Sequence, residues 1–211
     1  MGGVLAYDVW EHLLLDTQTG IAAIYNLDRE RVRRAGKDLW KKYSLYCTGG
    51  RRGGKKIERE YWHRFNKELM ISVPIEDYRE ITDRFIKPIK GMRNILLELK
   101  NRGLKLAICS DNTEFWFEKQ KIKLGLDKIL SSANFVLSSR VGVSKSSRSF
   151  AMLRVAINSL GINKESCLFI DDKARNIERA LEYGIPSILF PSNSHRGASY
   201  LRAILTRMGI I

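Results

Sequence analysis

The sequence is short of cysteine, acid and long apolar runs. Its three cysteines, Cys47, Cys109 and Cys167, are widely spaced and odd in number, with no Cys-x-x-Cys pair. That pattern excludes a disulfide framework and a thiolate zinc cluster. Cys109 and Cys167 lie in apolar runs and read as reduced core residues, which predicts a reducing, cytoplasmic location. No apolar stretch approaches the ~18 residues of a membrane span. No charged-then-apolar pattern with a small-residue cleavage site is present. Proline occurs four times, and Pro74 and Pro88 punctuate otherwise helical sequence. Internal repeats are absent too. Acid is outnumbered: 23 Asp and Glu face 37 Lys and Arg, for a net charge of +14.

What is present fits a globular chain. Its 211 residues make one domain, or one domain with an inserted subdomain. A hydrophobic content of 44% suffices to bury a core. Much of the positive charge is concentrated: residues 28–66 hold thirteen Lys or Arg against five Asp or Glu. At their centre lies a basic glycine loop with Arg51, Arg52, Lys55 and Lys56. Glycine removes side-chain packing there, so the stretch reads as a surface loop. One reading is contact with a polyanion, either nucleic acid or a phosphorylated substrate. The other is a solvated face, which the lack of an aromatic stacking platform beside the loop favours.

Apolar residues at helical spacing predict helices over 10–24, 28–46, 58–70 and 76–85, with Asp28 as an N-cap. From residue 91 the pattern changes. Helices are expected over 91–101, 113–124, 146–160, 174–183 and 195–208, with Gly103 and Gly125 ending the first two. Between them lie the apolar runs 104–109, 134–138, 167–170 and 186–190, which read as strands. Strands alternating with helices predict an α/β fold with a doubly wound parallel sheet. Ligands of such sheets bind at the carboxyl ends of the strands.

Three polar groups stand at such ends. Ser110, Asp111 and Asn112 follow one apolar run; Lys145 follows the loop 140–144; Asp171 and Asp172 follow Phe169 and Ile170. A hydroxyl and an ammonium can donate to phosphate oxygens, and a carboxylate pair suits a hard divalent cation such as Mg²⁺. Each element alone is weak, since Asp172 reads equally well as a helix N-cap. Order and spacing together are more specific. Lys105 through Asn112 resembles the second motif of the haloacid dehalogenase-like (HAD) hydrolases, an apolar strand ending in Ser or Thr. Lys145, with Phe150 in the helix beyond, resembles the third motif without its usual proline. Leu168 through Ala180, followed by Gly184-Ile185-Pro186, resembles the fourth and is the most specific segment.

The resemblance spans essentially the whole chain and implies a Rossmannoid core with an inserted helical cap. It divides the chain into a nucleophile-loop remnant at 1–8, a cap at 9–87 and an α/β core at 88–211. It implies that Ser110 hydrogen-bonds the phosphoryl group, with Asp111 and Asn112 beside the substrate. Lys145 offsets negative charge. Asp172 binds Mg²⁺ directly, Asp171 assists through water or as a second ligand, and the Gly2 carbonyl completes the set. Asn176 falls where many relatives carry a further acid.

In the family a carboxylate attacks phosphorus to give an aspartyl-phosphate. One variant of that first motif reads Asp-x-Gly-Gly-Val-Leu, and Met1 falls on its x. The resemblance therefore implies a nucleophile upstream of Met1, with Gly2 where many members carry a second Asp. Asp8 also ends a short apolar run but lacks the glycine turn that should follow. The absent strand is central in the fold, so its neighbours should expose backbone groups costing roughly 1–3 kcal/mol each when unpaired. Residues 3–7 would have to slide into the gap to satisfy them.

Two functions compete on this reading. One is a Mg²⁺-dependent phosphatase of a small phosphorylated molecule, weak or inactive without its nucleophile. The other is a non-catalytic protein binding phosphate or a polyanion. A metal-free haloacid dehalogenase fits the Asp171–Asp172 pair poorly. Trp10, His12, Trp40, Tyr43, Tyr61, Trp62 and His63 are the aromatic and imidazole candidates for specificity, and most read equally as cap core or surface.

Overall fold

A computed structural model describes residues 1–8, 10–45, 54–191 and 197–211. Five helices come first: α1 (Trp10–Leu15), α2 (Ile21–Ile24), α3 (Arg29–Tyr43), α4 (Gly54–Leu69) and α5 (Ile75–Phe85). The sequence predicts one helix over 10–24, but the chain breaks it at Asp16. Its Oδ1 accepts from the amides of Gln18 (3.0 Å) and Thr19 (2.8 Å) and from the Thr19 hydroxyl (2.9 Å). Such local bonds offer the backbone an alternative to the helical ladder. α3 starts where the sequence suggests, with Asp28 accepting from the Arg31 amide at 2.7 Å. α4 begins at Gly54, ahead of the expected start.

The inner faces of these helices share one apolar cluster. Leu13, Leu14, Val32, Phe65 and Tyr78 are fully buried in it. Trp62 stacks on Tyr78 with centroids 4.1 Å apart, and Phe65 meets both rings edge-on. Aromatic pairs in these geometries add to simple area burial. Phe115 and Trp116 of α7 (Glu114–Leu124) join the cluster and tie it to the second half of the chain.

That second half alternates. It contains α6 (Met92–Asn101), β1 (Ile108–Ser110), α7, β2 (Phe135–Leu137), α8 (Ser138–Val141) and α9 (Ala151–Leu160). β3 (Phe169–Asp171), α10 (Ala174–Glu182), β4 (Ser187–Leu189) and α11 (Gly197–Arg207) follow. Thr113 caps α7 through the Trp116 amide (3.3 Å), and left-handed Gly125 ends it. α9 begins at Ala151 rather than 146, because Ser147 and Phe150 donate backwards in turns to Ser144 and Ser147. β1 pairs with β2, and β3 with β4, all parallel. α9 packs on β1 and β2, and α10 on β3 and β4. This is the α/β arrangement the sequence predicts.

The sheet, however, is split into two two-stranded pieces. Each strand is three residues long, shorter than its apolar run. β1 and β3 are paired on one edge each, and the free edges line a common apolar cavity of about 410 Å³. Its walls include Leu106, Ile108, Leu168 and Ile170 from the strand segments, Ile157 from α9 and Leu205 from α11.

Residues 1–6 do not extend into this gap. They close a turn in which the amides of Leu5 and Ala6 donate to the Met1 carbonyl (3.0 and 3.2 Å) and Gly3 donates to Ala6 (2.7 Å). Tyr7 donates to Lys87, and Ile89 donates to Leu5, so the turn is stitched to the entry of α6. Met1, Val4 and Leu5 are buried in the core cluster of the α/β half.

Candidate active site at the strand ends

β1 and β3 end on the same side of the cavity. Ser110 closes β1 and Asp171 closes β3, and both are buried. Lys145 arrives between them from the loop after α8. Its Nζ donates to Asp171 Oδ2 at 2.5 Å, with the two residues 6% and 2% exposed. Burial opposes charge on both partners. For Lys145, the neighbouring Asp171 and Asp111 carboxylates outweigh burial and hold its pKa above the ordinary lysine value. For Asp171, the Lys145 ammonium outweighs burial, helped by hydrogen bonds from Asn176 and the Lys173 amide, and the pKa falls. Those two donors reach Asp171 Oδ1 at 2.9 Å each. The carboxylate thus has both oxygens engaged.

Asp111 and Asn112 brace this arrangement. Asp111 Oδ1 accepts from the Lys145 backbone amide at 2.8 Å. Asn112 donates its side-chain amide to Gln120 (2.8 Å) and its backbone amide to the Ser138 hydroxyl (2.9 Å). Ser138 in turn donates to the Ser44 carbonyl at the end of α3, linking the strand-end loop to the helical half. The Ser110 hydroxyl makes no hydrogen bond among the described residues.

Asp172 has other neighbours than Lys145. Its carboxylate lies against Gly3, where an added Cβ would sit 2.2 Å from Asp172 Oδ2. Gly3 has φ +84°, a conformation L side chains rarely adopt, so glycine meets both demands. Lys173 Nζ stands between Asp172 Oδ2 (3.1 Å) and Asp8 Oδ2 (3.2 Å). Burial works against that ammonium, and the two carboxylates overcome it, holding its pKa up. The contact to Asp172 has ion-pair distance without hydrogen-bond alignment. Asp172 Oδ2 therefore stays buried without a hydrogen bond, as do Asn112 Oδ1 and Asn176 Oδ1 nearby. A Cβ added at Gly2 would meet Asp8 at 3.7 Å, an ordinary contact.

Of Ser110, Lys145, Asp171 and Asp172, the structure joins Lys145 to Asp171, ends β1 at Ser110 and sets Asp172 against Gly3. It adds one group that periodicity does not reveal: Lys173 bridges Asp8 and Asp172 across most of the chain, and only its place beside the acidic pair hints at this. Cys109 is half-buried beside the site, and desolvation pushes its thiol up to about 12, so it stays protonated. Cys47, Arg51, Arg52 and His195 lie outside the described residues, while Lys55 and Lys56 are exposed on the first turn of α4. Tyr43, Tyr61 and Trp62 are buried in the helical core, and His12 and His63 are exposed. Among the described residues no group of three or more His, Cys, Asp or Glu could hold a metal by itself. No described helix is long and apolar enough to cross a membrane.

Known proteins resemble this chain along most of its length. The sequence profile described as haloacid dehalogenase-like hydrolase matches residues 11–190. A phosphoserine phosphatase of Methanocaldococcus jannaschii is 28% identical over 136 residues, which cover 62% of this chain and 64% of that relative, just under two thirds of its length. A HAD-family enzyme of Bacteroides thetaiotaomicron, solved as a magnesium complex, superposes with a TM-score of 0.67 at 15% identity, covering 96% of this chain and 95% of the other. A HAD phosphatase of Thermococcus onnurineus gives 0.65 at 15% identity, covering 97% and 94%. At these identities the structures show a shared fold.

Proposed function

We propose, from the premise that this chain belongs to the haloacid dehalogenase-like hydrolases, that it is built as a Mg²⁺-dependent phosphatase of a small phosphorylated metabolite. The observation that carries this reading is the buried Lys145–Asp171 pair beside Ser110, at the carboxyl ends of two parallel strands. The phosphatase-type relative and the magnesium complex of a fold neighbour support it.

The residues present fit a hard cation. Asp172 Oδ2 is a buried carboxylate oxygen without a hydrogen bond, with the Lys173 ammonium 3.1 Å away as the charge a bound cation would displace. Mg²⁺ is often held by only one or two carboxylates plus phosphate and water, so the lack of a three-residue cluster does not count against it. Asp172 would hold the ion directly, with Asp171 through water and the Gly2 carbonyl beside them. The bound ion would neutralise charge on the phosphate.

The chain's own groups divide the remaining work. Ser110 donates its free hydroxyl to a phosphoryl oxygen. Lys145 keeps its charge because Asp171 faces it, and that charge offsets the negative phosphoryl group. Asp111 positions Lys145 through its backbone, and Asn112 braces the loop against Ser138. Residues 9–87 form the cap over this crevice, 88–211 the core, and 1–8 the turn beside Asp172. The attacking carboxylate, which would form an aspartyl-phosphate, is not among the groups assigned above. Asp8, whose carboxylate pairs with Lys173, is the alternative for the role.

The competing reading is phosphate or polyanion binding without turnover. It is favoured by one observation: every group assigned here except the nucleophile is an anion or metal binder already in place. Hydrolysis of an activated aryl phosphate with and without Mg²⁺ separates the two. The assay uses the 211-residue chain and a version carrying a short apolar segment ending in Asp ahead of Met1. Turnover by the extended form alone is expected. Turnover by both would refute the missing nucleophile, and turnover by neither would favour binding.

A further inference from the structure

Helix α3 carries an uneven load of charge on its outer side. It holds seven Lys or Arg against Glu30 and Asp38. Its apolar stripe of Val32, Ala35, Leu39 and Tyr43 is buried. Arg34, Lys37 and Lys41 are exposed at spacings of three and four, which places them on one face. Their basic neighbours are engaged: Arg33 pairs with Glu11 and Glu30, and Arg31 donates to the Glu68 carbonyl at 3.2 Å. Among the described residues no carboxylate pairs with Arg34, Lys37 or Lys41. Lys37 and Lys41, four residues apart, repel each other along the helix. Such an array opposes the helix that carries it unless an anion covers it. α4 packs beside α3 in the opposite direction, tied to it by the Tyr43 hydroxyl on Glu60 (2.8 Å) and by Arg31 on Glu68. On α4, Lys56 and Lys67 are exposed three turns apart, and Glu60 between them is held by Tyr43 and Arg64.

The chemistry of this face selects among polyanions. The aromatic rings of both helices, Trp40, Tyr43, Tyr61, Trp62 and Phe65, pack in or against the apolar cluster beneath. The face therefore has no platform on which unpaired bases could stack. Neither helix exposes a large apolar side chain within its span, as insertion at a lipid surface requires. α3 is a rigid rod of 15 residues, about 22 Å long, with its free cations fixed along one side. A nucleic-acid duplex offers one negative charge per about 1.7 Å of its axis on an equally rigid surface. It needs neither stacking nor insertion. We propose that the face formed by α3 and α4 docks a nucleic-acid duplex through its backbone phosphates. Arg34, Lys37 and Lys41 are the main contacts, with Lys56 and Lys67 flanking them. Phosphate contacts fix position without reading sequence, so the docking is sequence-independent. The inference stands apart from the phosphatase reading, because the face uses none of Ser110, Lys145, Asp171 or Asp172.

The test uses the full 211-residue chain. It is titrated into a fluorescent DNA duplex of mixed sequence, followed by anisotropy over a series of salt concentrations. The logarithm of the binding constant should fall linearly with that of salt, with a slope of about −3 to −4. That slope corresponds to roughly a 100-fold loss of affinity between about 50 and 200 mM salt. Arg34→Gln, Lys37→Gln and Lys41→Gln together should weaken binding roughly tenfold or more and lower the slope by about 2 to 3. Lys90→Gln, Lys128→Gln and Arg154→Gln together remove the same charge from exposed positions elsewhere. That control should stay within about twofold of the unaltered chain. Circular dichroism verifies that both variants are folded, and the salt slope and competing probes test the proposal if either is not. Those probes are a single-stranded oligonucleotide of equal charge, polyglutamate and anionic lipid vesicles, each expected to bind several-fold more weakly. Binding of any of them as tight as the duplex would overturn the proposal. So would equal losses in the two triple variants, a slope near zero, or no binding at all. Displacement of the duplex by inorganic phosphate at constant ionic strength would overturn it as well, by placing the duplex in the Lys145 crevice.

Discussion

The two halves of this molecule bury comparable apolar sequence in unlike ways. The helical half closes on itself: Phe65, Trp62 and Tyr78 interlock, and Leu13, Leu14 and Val32 are sealed beneath them. In the α/β half apolar side chains are equally plentiful, but they surround a cavity, and its strands are cut to three residues. Helices satisfy their backbone internally, so packing alone completes them. A strand depends on neighbours on both edges, and where one is absent the ladder shrinks even though the side chains are suitable. The polar site sits on the incomplete half and draws its order from charge pairing instead.

The largest expected difference is in core truncation. Phe65→Ala should cost about 3–5 kcal/mol. Leu205→Ala on the cavity wall should cost about 2 kcal/mol or less, because few packed neighbours are lost across a space already open. Denaturant unfolding of both variants measures this, and equal losses would erase the contrast between the halves.

Gly3→Ala comes next. The new methyl would strike the Asp172 carboxylate, and a left-handed alanine adds strain of about 1–2 kcal/mol. Thermal melting should show the loss, and Mg²⁺ affinity measured by calorimetry should fall with it. A variant with unchanged melting and affinity would detach residues 1–6 from the site.

Asp28→Ala should remove about 1 kcal/mol through the lost α3 cap, confined to the helical half in hydrogen exchange. The smallest effect is a pH response at Asp16. The Thr19 amide, then the Gln18 amide, hold its pKa below the ordinary 3.8. The turn it closes is therefore fully supported above that value and loses support as pH falls through the lowered pKa. An NMR titration of Asp16 should place its midpoint below that of a denatured reference, and Asp16→Asn should remove the dependence.

Much of this was legible in the sequence where one local signal sufficed. Asp28, Thr113 and Gly125 mark helix ends by their own chemistry, and Lys145 after its loop and Asp171 after its apolar run mark two groups that do meet. Asp16 was missed although the run from Asp16 to Gly20 has turn chemistry, because apolar periodicity on either side masked it. The bridge from Asp8 through Lys173 to Asp172 spans most of the chain, and no local pattern encodes such a pairing. Strand length was overestimated for a different reason: apolar content fixes where a strand can form, and the neighbouring edges decide how far it does.

The most direct test asks where a phosphoryl group lands. The chain bearing an apolar segment that ends in Asp ahead of Met1 is mixed with Mg²⁺ and an activated aryl phosphate, quenched in acid, digested and mapped by mass spectrometry. The account predicts one phosphoryl group on the added Asp, and none on the 211-residue chain treated alike. A phosphoryl group on Asp8, or on any other of residues 1–211, would contradict it.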